Sequence, residues 1–163
     1  GLKVWFGCEF TVYNADFLIY GMEKDWMKAN EELLMHTDER VLFSKLRNEL
    51  DCFIVHAHPF RHASYIHHCF ERPSIRFFSL FPYDVDAVET INASHDPRKL
   101  YDERAKLYAD SYGLIKTGGS DSHHLDKLFG GGIDVPEPIN CPADYHRLLM
   151  EGKVYPRERT LPV

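Results

Sequence analysis

Apolar and polar positions along the chain switch between two periods, and the switches divide it into strands and helices. Residues 2–12, LKVWFGCEFTV, are rich in β-branched and aromatic side chains and predict a strand. Residues 16–20, DFLIY, predict a short second strand ending at Gly21. Residues 25–36 predict a helix, and residues 38–50 another, in which Leu42, Leu46 and Leu50 form one apolar stripe. Residues 52–57, CFIVHA, are a continuous apolar run that Pro59 stops. Residues 61–70 predict a short helix, and residues 72–84, with Pro73 and Pro82, an irregular stretch. Residues 86–92, DAVETIN, predict a strand. Over residues 97–112 a helix is expected: Pro97 suits its first turn, Tyr101, Ala105, Tyr108 and Tyr112 share a face, and Gly113 is a natural stop. Residues 114–117, LIKT, predict a strand followed by the loop GGSDSHH. Gly130-Gly131-Gly132 marks a turn before IDVPEP, residues 142–150 a last short helix, and residues 156–163 a loose tail.

Strands alternating with helices predict an α/β protein: one domain over residues 1–163, with a mainly parallel sheet flanked by helices. In such folds functional residues gather at the C-terminal ends of strands. A composition of 44% apolar and 13% aromatic residues provides for a sizeable core. The net charge of −6, with Lys and Arg scattered, leaves no basic stripe for a non-specific nucleic-acid surface. No apolar run approaches the roughly 18 residues of a membrane span, and no signal peptide is expected from these residues. The four cysteines form no CxxC pair, which argues against a zinc ribbon or redox dithiol and for a reduced, cytoplasmic protein. The chain opens at Gly1 without a Met and runs directly into its first strand, so an upstream segment is expected.

Ten histidines direct attention to metal or acid–base chemistry. Three clusters sit at or near predicted strand ends: Glu9 in GCEF, His56-Ala57-His58-Pro59, and Asp121-Ser122-His123. Each is weak alone. Together they supply a mixed oxygen and nitrogen donor set that suits Zn²⁺, Mn²⁺ or Fe²⁺ better than Ca²⁺.

The segments FIVHAHPF, VDAVETINAS and GLIKTGGSDSH, in that order, resemble consecutive core motifs of PHP (polymerase and histidinol phosphatase) domains. LKVWFGCEFTV resembles the Gly-x-Glu strand that precedes them. The likeness runs from about residue 1 to residue 135. It implies a distorted (β/α)7 barrel, incomplete here, with two or three divalent metals in the intact domain and one or none in the chain as it stands. It implies hydrolysis of a small phosphorylated substrate or nucleotide by a metal-bridged hydroxide, weak or absent in this chain alone. Carried over by position, Glu9 resembles the carboxylate that bridges two metals. His58 resembles the ligand of the AHP motif, and Asp121 and His123 the closing ligand pair, also catalytic. The family's opening HxH motif does not occur before Glu9. It is expected upstream, together with two β/α units of about 30 residues each, and exposed strand edges make a homodimer an expectation.

Other residues carry two readings each. His56, on the strand face of His58, is a metal ligand, a partner that orients one, or a packed core histidine. His95 follows INAS near the family's third-metal position. Arg61 is a phosphate clamp or a surface arginine, and Asn92 lines the pocket or caps a turn. Two alternatives to the phosphoesterase stand beside it: a non-catalytic metal-binding or structural PHP module, and an amidohydrolase acting on C–N bonds.

Overall fold

The computed structural model describes residues 3–12, 15–36, 39–61, 85–94, 100–128 and 130–158. Strands β1 (Gly7–Val12) and β2 (Ala15–Tyr20) are followed by three helices: α1 (Lys24–Ala29), α2 (Glu31–His36) and α3 (Glu39–Glu49). Then come β3 (Phe53–Ala57), β4 (Ala87–Asn92), α4 (Tyr101–Tyr112), β5 (Ile115–Gly119), β6 (Gly131–Asp134), α5 (Pro142–Met150) and β7 (Tyr155–Glu158). The first five strands form one sheet in the order β1-β2-β3-β4-β5, and β6 and β7 form a two-stranded antiparallel sheet.

This architecture overturns the expected barrel. β1–β2 and β2–β3 pair antiparallel, and only β3–β4 and β4–β5 are parallel, so the sheet is mixed and open rather than mainly parallel and (β/α)7. For the β1–β2 pair the physical reason is loop length. Two residues separate β1 from β2, enough for a reversal, whereas a parallel return needs a crossover of about a dozen residues or more.

Strand alternation sends side chains to two covered faces. On one face Phe17, Ile19 and Ile54 pack with Leu42, Phe43 and Leu46 of α3, and Val88 packs with Tyr101, Ala105 and Tyr108 of α4. On the other, Phe53, Val55 and Ala87 meet Tyr145, Leu148 and Leu149 of α5. β3 and β4 are buried throughout: β3, FIVHA, carries the largely apolar run that such double coverage favours, whereas β4, AVETIN, also buries Glu89, Thr90 and Asn92. The Leu42–Leu46 stripe is therefore core, and so are Tyr101 and Tyr108, while Tyr112 is exposed.

Several boundaries differ from expectation. The helix over 25–36 is two short ones, broken at Asn30, whose side-chain amide donates to Trp26 O at 2.9 Å. Gly113 does end α4, with φ 65°. Gly130-Gly131-Gly132 is no mere turn, since β6 begins at Gly131, and the tail is ordered into β7 through Glu158. Gly21 sits at φ 88°, where an added Cβ would lie 2.5 Å from Asp51 O, so the turn after β2 requires glycine. The helix expected over 61–70 and the irregular stretch over 72–84 lie outside the described residues, Arg61 excepted.

Leu46 is fully buried between α3 and the sheet. Leu46→Ala is expected to lower unfolding stability by about 2–5 kcal/mol in urea titrations. Val41→Ala, at an exposed position of the same helix, is expected to cost less than about 0.5 kcal/mol.

Candidate metal centre

The mixed sheet decides which strand ends meet. β3, β4 and β5 run parallel, so their C-terminal ends share one edge. β2 runs the other way, and its N-terminal end lies at that same edge, with Asp16 opposite Ala57. β1 reverses again, placing Thr11 opposite Asp16 and Glu9 opposite Leu18. By strand alternation Glu9, Asp16 and Leu18 face the same side, the α5 side.

At this edge His58 Nε2 lies 3.3 Å from Glu9 Oε1, and His58 Nδ1 lies 3.7 Å from Asp16 Oδ2. One ligand atom from each of Glu9, Asp16 and His58 falls within 4.8 Å of the others, so the group could hold a metal ion. Asp16 and His58 are buried while Glu9 is exposed. A cation here would be held from below and open towards Glu9 and solvent. Two carboxylates and an imidazole, half enclosed, are a mixed oxygen and nitrogen donor set of the kind that can hold a metal ion. Thr11 Oγ1 donates to Asp16 Oδ1 at 2.5 Å and orients that carboxylate.

A second polar group adjoins the first. Glu89 Oε2 accepts from His58 N at 3.0 Å and from Asn92 Nδ2 at 3.0 Å. Asn92 Nδ2 also lies 3.3 Å from Asp121 Oδ2. Arg61 donates to the same Asp121 oxygen in an ion pair. His123 Nδ1 is 3.0 Å from Asp121 O and 3.6 Å from Asp121 Oδ1, with its ring largely exposed at the rim. Glu9 and His58 therefore meet in one group, Asp121, Asn92 and Arg61 meet in the next, and His123 edges the second. His95 lies outside the described residues.

Backbone conformation marks the same residues. His58 (φ 27°) and Asp121 (φ 46°) are left-handed without being glycine, as is Leu100 (φ 55°) before α4. Each such residue costs on the order of 1–3 kcal/mol and persists only where its surroundings over-determine it.

His56 and His58 part company because His58 leaves the strand. Alternation puts His56 with its partner Phe17 on the helix α3/α4 face, away from Glu9 and Asp16, rather than on the face of His58. It stacks on Phe17 at 5.3 Å and meets the edge of Tyr108 at 6.5 Å. Burial, with help from the neighbouring His58, pushes its pKa down to about 3. For His58 burial also opposes the charged form, but the Glu9 hydrogen bond and the charges of Glu89 and Asp16 outweigh it, and the pKa is raised. Burial raises the carboxyl of Glu89, against the opposing pull of Asn92 and His58.

Asp16 and Glu89 were absent from the expected set. The only sequence signal for Glu89 was a carboxylate inside the apolar strand DAVETIN, where burial demands partners. Asp16 stands at the start of its strand rather than its end, so the rule that functional residues gather at C-terminal strand ends does not point to it.

Residues 100–154, from the start of α4 to Val154, match the family described as PHP-associated. The matched stretch contains Asp121 and His123; Glu9, Asp16, His58, Glu89 and Asn92 precede it. No curated protein matches the chain. Among solved structures the chain is similar to PsfC from Pseudomonas syringae, with a TM-score of 0.57 at 14% identity, over 94% of this chain and 59% of that one. At that identity the likeness concerns fold alone, and the chain spans about three-fifths of the PsfC chain. No helix among the described residues is long and apolar enough to cross a membrane.

The neutral state of His56 has a pH signature. Unfolded, it takes up a proton near pH 6.5; folded, only near pH 3. Its contribution to stability is full above about pH 6.5 and is lost as pH falls towards 3, by at most about 1.4 kcal/mol per unit. His56→Phe is expected to flatten the wild-type slope in urea titrations at pH 4, 5, 6 and 7 with chelator present. Parallel slopes for the two proteins would show that the ring is not buried neutral.

Proposed function

We propose that this chain carries a divalent-metal site of the PHP type that serves the hydrolysis of phosphoesters. The observation that supports this most is the convergence of Glu9, Asp16 and His58 within 4.8 Å, next to the Arg61–Asp121 pair at the same sheet edge. Glu9, Asp16 and His58 would hold the ion. When bound, the ion would lower the pKa of a water molecule and offset negative charge on phosphate oxygens. Arg61 presents a planar fork matched to two phosphate oxygens, and its present partner is itself an anion. A phosphate arriving there would compete with Asp121 for the guanidinium. Asp121, so released, becomes an acceptor for a proton at its Oδ2, with Asn92 keeping it in place. His123 is exposed at the rim, where it can exchange protons with solvent. The substrate class is a small phosphomonoester or nucleotide, met through the ion and one arginine rather than through a basic surface.

One observation favours the second reading, a metal-binding module without catalysis. Arg61 engages Asp121, so a residue carried over as a metal ligand already has a cationic partner.

Metal titration and turnover separate the readings. Calorimetric titration with Mn²⁺ or Zn²⁺ is expected to show one ion bound, with Asp16→Ala and His58→Ala each weakening it by about 100-fold or more. Asp121→Ala is expected to retain the ion and to lose about 100-fold or more in nitrophenyl phosphate hydrolysis by the full-length protein. Metal binding without turnover would leave the module, and absence of both would defeat the proposal.

A further inference from the structure

Resting on that functional reading, we infer that Glu89 and Asn92 are positioning residues: a buried clamp on β4 that holds His58 and Asp121 in their left-handed conformations and thereby sets the geometry of the centre. Neither touches the candidate ion in this arrangement. Both are almost fully buried, at 4% and 2% exposure, which is unusual for a carboxylate and an amide unless they are hydrogen-bonded.

The clamp depends on an irregularity. In a regular strand residues 89 and 92, three apart, would face opposite sides. The β4–β5 register shifts between Glu89 and Ile91. A bulge of this kind adds a residue to one strand and re-aims the side chains beyond it. Here it brings Asn92 back to Glu89, and the Asn92 amide reaches the Glu89 carboxylate at 3.0 Å. From that point the pair reaches to both sides. Glu89 takes the backbone N–H of His58 at the end of β3, and Asn92 approaches Asp121 just beyond β5.

The surroundings fix the clamp in turn. Asn92 Oδ1 accepts from Ser94 N at 3.0 Å, and Ser94 Oγ donates to Asp121 O at 2.7 Å, so the Asp121 backbone is held from the same source as its side chain. Gly119 supplies the space: an added Cβ would lie 2.9 Å from Glu89 Oε1. That carboxylate is tethered by two hydrogen bonds, so it cannot move aside without loosening His58.

Two readouts test this, one of them independent of metal. In amide hydrogen exchange on the metal-free chain, Glu89→Leu fills the same volume without an acceptor and is expected to speed exchange at His58 by about tenfold or more. Glu89→Gln keeps a carbonyl oxygen for both donors and is expected to restore protection. Gly119→Ala, a smaller perturbation for the case where the leucine variant fails to fold, is expected to shift His58 exchange in the same direction. In Mn²⁺ titrations Glu89→Leu and Gly119→Ala are expected to bind about 10–100-fold more weakly, with Gln close to wild type. Wild-type exchange at His58 in the folded Leu or Ala variant would overturn the inference. A wild-type chain that takes up no Mn²⁺ would instead defeat the functional reading, while exchange at His58 would still decide the clamp.

Discussion

Asp16 and Glu89 place two carboxylates on the covered face of a sheet, and a buried carboxylate persists only where donors or cations surround it. Much of the local structure arises from meeting that demand. Thr11 and His58 attend Asp16; the His58 backbone and the Asn92 amide attend Glu89. The bulge in β4, the missing side chain at Gly119 and the left-handed turns at His58 and Asp121 are the backbone's share of the arrangement. Each of these features is unfavourable or at best neutral alone. They make sense together as the means of presenting a fixed set of oxygen and nitrogen atoms at one edge of the sheet.

That dependence explains what could be read from the residues and what could not. The Leu42–Leu46 stripe, the apolar run before Pro59 and the stop at Gly113 are local signals, set by side-chain period and backbone preference, and each marks an element of the fold. The direction in which strands pair is not local. The two-residue gap between β1 and β2 was the clue to reversal, and without it the alternation of strands and helices suggested a parallel barrel. The error carried into the site. In a parallel sheet only C-terminal strand ends meet, so Asp16 at the start of β2 had no reason to be noticed. Glu89 and Asn92 were hidden in a related way, because only a bulge lets residues three apart act on the same side.

The two histidines of the HAHP segment show how a single backbone angle divides roles. Strand alternation alone would give His56 and His58 a common face. With φ at 27° His58 departs from the strand and swings to the carboxylates, while His56 stays among Phe17 and Tyr108 as an uncharged ring. A high histidine count is therefore a poor guide by itself: one ring fills the core and its near neighbour faces the polar edge.

Charge is also unevenly distributed along that edge, and this bears on where an ion would sit. Asp121 has the Arg61 guanidinium beside it, a cation that keeps its charge at any ordinary pH. Glu9 and Asp16 have the imidazole of His58, which is a cation only when protonated and a ligand only when not. A divalent ion gains more where the existing countercharge is weak and removable than where it is permanent. The β1–β2–β3 side, with Glu9 open to solvent, is thus the place where a metal meets the smaller competition, and the β4–β5 side is the place where an anion can meet an arginine. Glu89 stands between the two sides, touching the first through His58 and the second through Asn92, which is the layout that the proposed metal and phosphate would need.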